Sequence, residues 1–140
     1  MIFRNISALL IIFVFVFPFI TNAQVAVIAN KSINAKAVDN NSLSNLYTLQ
    51  SNELGSQKVK LFFLTTENET NKIFLKSINK SMQDLKKIWL RAKLTGNGFA
   101  PDFVSSEAEM IEKVTSTPNS IGFVNQKEVS GDVKVLGKIQ

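Results

Sequence analysis

The chain has 140 residues, no cysteine, no histidine and a formal net charge of +5. This composition excludes a small fold stapled by disulfides, the usual zinc ligand sets and the Ser-His and Cys-His nucleophile pairs. The lysines are spread along the sequence without a long run of like charges, which is typical of a solvated surface and does not indicate nucleic-acid binding.

The N-terminus predicts a secretory signal peptide over residues 1–23. Arg4 supplies the positive start, an apolar run extends from Ile6 to Ile20, and small residues precede a cleavage site after Ala23. The alternative is a retained membrane anchor, because the apolar run is only a little shorter than the roughly 18 residues of a spanning helix. Both alternatives place the remaining protein outside the cytoplasm, in the periplasm or secreted.

Residues 24–140 are predicted to form one domain, because removing 23 of 140 residues leaves 117, an ordinary domain size. Val25–Ala29 is a short valine-rich run that predicts a buried strand. After a polar loop, Ser42 is expected to cap a helix. The apolar face of that helix is Leu43, Leu46, Tyr47 and Leu49.

Val59–Leu64 is nearly continuous in apolar residues and predicts a strand covered on both faces, at the centre of the sheet. The polar segment 65–70 then leads into a second helix. A third helix is predicted to begin near Ser81. Its buried stripe is Met82, Leu85, Ile88, Trp89 and Ala92, and its basic residues are mostly on the other side.

The last third of the chain predicts an irregular connection at residues 94–101, a helix and two strands. Ser106 and Glu109 form a capping-box pattern at the start of the helix. Ile121–Val124 and Val133–Leu136 are the predicted strands. The alternation of elements indicates an α/β fold, a single small lobe with a mixed β-sheet flanked by helices.

The turn after the strand Val59–Leu64 is the strongest candidate for a ligand site. Ligands of α/β sheets bind beyond the carboxyl ends of strands, and helix N-termini favour anions. The candidate ligand-binding side chains are Thr65, Thr66, Asn68 and Thr70, with Ser32 expected to approach from the loop after the first strand. The alternative interpretation is that Asn68 or Thr70 only caps the next helix.

The sequence gives little support to catalysis. Ser77 and Lys80 have S-x-x-K spacing, but this short pattern is common and no K-T-G accompanies it. Three glutamates, Glu107, Glu109 and Glu112, lie at the start of a predicted helix, where negative charge stabilises the helix terminus. We therefore expect no enzyme activity, no metal and no cofactor.

Several segments together resemble the phosphate ABC transporter substrate-binding family. The most specific is residues 117–124, Thr-Pro-Asn-Ser-Ile-Gly-Phe-Val, which matches the pattern T-P-x-S-I-G-[FY]-V. The others are Ser42–Tyr47, Val59–Leu64, the helix carrying Trp89, Leu94–Gly98 and Ser106–Glu109. The chain is similar to the short members of the family, which amount to about one lobe of the type 2 periplasmic-binding fold.

This resemblance implies a periplasmic binding protein without catalysis. In full-length members an arginine and an S-G-T turn hold an oxyanion, and here Thr65 falls near the arginine, Asn68 near the serine and Glu69 at the glycine. Only Thr70 is preserved. Glu67 and Glu69 bring negative charge to the turn, so phosphate is expected to bind weakly.

Two functions follow from these observations. The first is a periplasmic solute-binding-like module that holds phosphate or another small anion at the turn. The second is a protein-interaction or sensor-accessory module without a small-molecule ligand, because a lobe without its partner lobe cannot enclose one. Its partner would be a membrane transporter or a sensor protein.

Overall fold

The computed structural model describes residues 16, 18 and 23–140. The predicted signal peptide lies outside the described residues, apart from Val16, Pro18 and Ala23. Within the described part of the chain, no helix has both the length and the apolar character needed to span a membrane.

The described chain contains seven strands and four α-helices. In chain order they are β1 (Val25–Ala29), α1 (Asn40–Tyr47), β2 (Glu53–Leu54), β3 (Gln57–Lys58), β4 (Lys60–Leu64), α2 (Glu69–Ser77), α3 (Met82–Thr95), β5 (Asp102–Val104), α4 (Glu107–Ser116), β6 (Ser120–Asn125) and β7 (Lys134–Ile139). A single 3₁₀ turn, Gln126–Glu128, follows β6.

Five strands form a mixed sheet in the order β5-β4-β6-β1-β7. β4 is parallel to β5 and β6, whereas β1 is antiparallel to β6 and β7. The carboxyl ends of β4, β5 and β6 therefore lie together at one end of the strands. The C-terminal end of β1 lies at the opposite end.

The helices cover both faces of the sheet. The connection from β4 to β5 carries α2 and α3, and the connection from β5 back to β6 carries α4. These two crossovers run in opposite directions along the sheet, so right-handed connections place their helices on opposite faces.

One face of the sheet is packed by aromatic side chains. Tyr47 from α1, Phe74 from α2 and Trp89 from α3 surround Phe63 of β4 and Phe123 of β6. The rings of Phe74 and Phe123 are stacked with centroids 3.8 Å apart, and Trp89 meets Phe63 at 5.1 Å. Each of these five side chains is at most 3% exposed. These aromatic residues are part of a single hydrophobic core that also includes β1 and the inner face of α4.

The opposite face of β6 packs directly against α4. A Cβ atom at Gly122 would lie 2.4 Å from Met110 Sδ and 3.1 Å from a methyl group of Val114. Glycine at this position therefore lets the helix approach the strand closely.

The fold class predicted from the sequence is confirmed, with local differences. α1 begins earlier than expected, because Asp39 and not Ser42 is the N-cap and accepts a hydrogen bond from the Ser42 N–H. Leu49 lies beyond the helix in a left-handed conformation with φ 62°. β4 is an interior strand, but the middle strand of the sheet is β6. Three short strands, β2, β3 and β5, were missed.

Candidate functional site

The segment after β4 lies where the carboxyl ends of three parallel strands meet the N-termini of α2 and α4. Thr65 and Thr66 both contact the end of β5. The N–H and the hydroxyl of Thr65 donate to the Val104 carbonyl at 3.0 and 3.1 Å. The Thr66 hydroxyl donates to the Ser105 carbonyl at 2.5 Å. Both hydroxyls therefore tie the turn to the neighbouring strand.

Asn68 is the N-cap of α2. Its side-chain oxygen accepts a hydrogen bond of 3.0 Å from the Asn71 N–H. The Asn71 amide in turn donates to the Leu64 carbonyl at 2.6 Å. The capping interpretation of Asn68 is thus the one that the geometry satisfies.

Thr70 donates its hydroxyl to a carboxylate of the protein itself. The acceptor is Glu107 Oε1 at 2.7 Å, and the same oxygen accepts the Asn125 N–H at 2.6 Å. Glu107 begins α4 and Asn125 ends β6, so this carboxylate joins three elements at one point. The sequence indicated only a charge that stabilises a helix terminus. No signal in the sequence placed Glu107 beside Thr70, because 37 positions separate them.

Ser32 does not join this site. It follows β1, whose C-terminal end lies beside the N-terminal end of β6, where Ala29 pairs with Ile121. This is the end of the strands opposite to the turn after β4. The Ser32 hydroxyl is 3.1 Å from Asn119 Oδ1 and accepts the Asn119 N–H at 2.8 Å. Asn119 has φ 56°, the left-handed region that asparagine tolerates better than most residues. Ser32 therefore braces a turn, and its expected approach to Thr65 is wrong because β1 is antiparallel to its neighbour.

Glu109 adds a second carboxylate near the turn. Ser106 caps α4 by accepting the Glu109 N–H, as the sequence predicts. The Glu109 carboxylate, however, accepts the N–H and the hydroxyl of Ser105 at 2.9 and 2.8 Å. These hydrogen bonds, the backbone one first, and the nearby Lys113 charge hold the pKa of Glu109 below its ordinary value.

Four of the five predicted site residues therefore lie together at this turn. The side chain of each of the four is hydrogen-bonded to another group of the protein. The turn itself contributes two glutamates and no lysine or arginine. Among the described residues, no three acidic side chains are grouped closely enough to hold a metal ion.

The fold resembles part of several solved proteins of phosphate transport. A phosphate transport receptor from Vibrio cholerae superposes with a TM-score of 0.64 at 14% identity, covering 81% of this chain and 45% of the receptor. A protein from Clostridium perfringens described as a phosphate ABC transporter substrate-binding protein, with bound phosphate, gives 0.66 at 12% identity, covering 81% and 44%.

PstS from Borrelia burgdorferi is similar as well, with a TM-score of 0.60 at 16% identity, covering 82% of this chain and 47% of that protein. No protein-family profile matches the chain, and no curated protein matches it in sequence. The chain thus spans less than half the length of these structures and shares their fold.

Proposed function

We propose that this protein is a non-catalytic, solute-binding-like module that acts outside the cytoplasm by docking on a partner protein, such as a membrane transporter or sensor. The observation that carries the proposal is the position of Glu107. Its carboxylate accepts from the Thr70 hydroxyl and the Asn125 N–H, two donors that an oxyanion at this turn would use.

Electrostatics also argues against an anion at this turn. Glu67, Glu69 and Glu107 bring three negative charges to the turn and the two helix starts beside it. Two unit charges 4 Å apart repel by about 4 kcal/mol at an effective dielectric of 20, which offsets several hydrogen bonds. An added dianion is therefore disfavoured.

Titration calorimetry at low ionic strength tests whether the turn after β4 is unable to bind an anion because its donors are already bonded to Glu107. We expect no saturable heat with phosphate or sulfate at concentrations up to about 1 mM, equivalent to binding weaker than roughly 4 kcal/mol. Glu107→Ala removes the carboxylate and frees both donors, so phosphate should then bind measurably. Glu107→Gln is the matched control, because its amide oxygen still accepts both bonds. Saturable phosphate binding to the unmodified protein would contradict the proposal.

Docking needs a test of its own. A photoreactive phenylalanine analogue can be placed singly at exposed positions on different sides of the protein, at Lys31, Leu90 and Lys127, in the cells that produce it. We expect a discrete cross-linked species with one membrane protein from at least one position. Absence of any discrete adduct from all three positions would count against docking.

Weak anion binding at the turn is the second candidate function. The observation in its favour is the shared fold with a Clostridium perfringens protein whose structure contains phosphate. In this case Glu67→Gln together with Glu69→Gln should strengthen phosphate binding, most visibly at low salt, where screening is least. Unaltered affinity in a folded double variant would leave the turn as a helix cap only.

A further inference from the structure

Exposed large hydrophobic side chains of residues 23–140 are confined to one segment of the chain. The segment runs from α3 through the connection that follows it and includes β5. These side chains are Leu90, Leu94, Phe99 and Phe103, which are 57%, 77%, 87% and 55% exposed. Isolated exposed apolar residues are ordinary, whereas a group of them marks an interaction site.

Two of these residues border a groove between α3 and β5. Leu90 and Phe103 form its sides, and Trp89 and Pro101 are buried at its base. The groove has a volume of about 430 Å³. We call it the α3–β5 groove. A concave apolar surface of this size accommodates side chains of a partner.

The charge around the α3–β5 groove is positive. Lys86 and Lys93 line it directly. From Lys80 to Pro101 there are five basic residues and one acidic residue, Asp84, in a chain whose net charge is +5. The acidic side chain at the groove, Asp102, is paired with Lys60 at 2.9 Å. The charge that remains for a partner is therefore cationic.

β5 also presents an open strand edge beside the groove. It is the end strand of the sheet and pairs with β4 on its inner side. Because the Val104 carbonyl bonds to Thr65 and successive residues of a strand alternate, the backbone N–H and carbonyl of Phe103 point away from β4. Open edges of this kind accept an extended segment of another protein.

We propose that the α3–β5 groove docks a partner-protein segment that carries an apolar anchor flanked by carboxylates. The inference rests on the proposed function and names the chemistry of the partner. Charge complementarity supplies the carboxylates, and the groove and strand edge supply the apolar and backbone contacts. A flat lipid surface would meet the cations but would leave the base of the groove and the edge of β5 unfilled.

A peptide-display selection on the folded protein tests this chemistry. Random peptides are selected on the unmodified protein and counter-selected on Leu90→Ala. The expected consensus has an aromatic or aliphatic anchor with neighbouring aspartate or glutamate. A consensus that lacks either feature would overturn the proposal.

The synthesised consensus peptide is then measured against variants. Leu90→Ala should weaken its binding roughly tenfold, the effect of losing one central apolar contact. The double variant Lys86→Glu with Lys93→Glu should weaken peptide binding more than Leu90→Ala does at low salt. This loss of binding should become smaller at high salt, where charges are screened. Lys127→Glu with Lys138→Glu makes the same change in net charge at two exposed lysines that do not line the groove, and it should leave binding nearly unchanged.

Equal losses from the two charge-reversed pairs would refute a localised site. Vesicles of phosphatidylglycerol and phosphatidylethanolamine complete the test. Sedimentation with these vesicles that depends on Leu90, in the absence of selective peptide binding, would assign the surface to a membrane and overturn the proposal.

Cross-linking separates this inference from the proposed function. Adducts from Lys31 or Lys127 with none from Leu90 would refute the groove and retain docking. Absence of adducts from all three positions would refute docking itself.

Discussion

The turn after β4 and the α3–β5 groove differ in the chemical groups that they leave free for a partner. At the turn, the hydroxyls of Thr65, Thr66 and Thr70 each donate to an acceptor within the protein. At the groove, Leu90 and Phe103 remain more than half exposed. Polar groups that are already paired gain little from a ligand, whereas exposed apolar area still has free energy to release on burial. The capacity for binding is therefore at the groove.

The base of the groove should show the largest effect on stability. Trp89 is 3% exposed, packs on Phe63 and donates its indole N–H to the Tyr47 carbonyl at 2.8 Å. Trp89→Ala should lower the free energy of unfolding by about 3–5 kcal/mol. Urea denaturation measures it.

Trp89→Phe is the control, because it retains an aromatic ring but loses the hydrogen bond to Tyr47. Its cost should be clearly smaller than that of alanine. An unchanged urea midpoint for Trp89→Ala would show that the base of the groove is not part of the core.

The second largest effect on stability is expected at the turn after β4. Glu107→Ala leaves the Thr70 hydroxyl and the Asn125 N–H without their acceptor, which costs about 1–3 kcal/mol for a buried donor. Glu107→Gln keeps an acceptor oxygen and should cost less. Thermal unfolding of both variants tests the difference. Equal melting temperatures for alanine and glutamine would mean that the carboxylate does not hold the turn together.

The fold could largely be predicted from the sequence because its main elements have strong local signals. Burial is predicted directly by the local pattern in three places. These are the valine-rich run of β1, the apolar run of β4 and the stripe of α3 that contains Leu85 and Trp89. β5 was missed because a strand of three residues with two exposed positions has no periodicity to detect. The hairpin of β2 and β3 was missed for the same reason, with two residues in each strand.

The site could be predicted only in part. The sequence placed Thr65 to Thr70 beyond a strand end, and the structure agrees. It could not reveal the bond from Thr70 to Glu107, which depends on where α4 begins in space. Ser32 was misplaced because the direction of β1 is set by pairing with β6, which is distant in sequence. Leu90 falls outside the buried stripe of α3, and it is the residue through which the sequence could have indicated the groove.

A pH dependence should follow from Glu109 at the turn. Its pKa lies below the ordinary value of 4.5 because Ser105 donates two hydrogen bonds to the carboxylate. A lowered pKa in the folded state stabilises the protein above the unfolded-state pKa, and the stabilisation is lost as pH falls through the folded-state value. Glu109→Gln should therefore lower the melting temperature at pH 7 and have less effect near pH 3.

Two other carboxylates also have a lowered pKa: Asp39 accepts hydrogen bonds from Ser42, and Asp84 from Ser81. Their contribution to the pH dependence is the same in the unmodified protein and in Glu109→Gln. The difference between the two melting curves thus isolates Glu109. The same difference at both pH values would contradict the assignment.

The smallest effect on stability is expected at the side of the groove. Leu90 is 57% exposed, so Leu90→Ala removes little buried area, and alanine favours the helix at least as well as leucine. Its free energy of unfolding should change by less than about 0.5 kcal/mol. Leu85, in the same helix and fully buried, is the matched comparison, and Leu85→Ala should cost about 2–5 kcal/mol. Urea denaturation of both variants measures the contrast. A loss at Leu90 comparable to that at Leu85 would show that this leucine serves the fold, and the groove could then no longer be regarded as surface that folding leaves available to a partner.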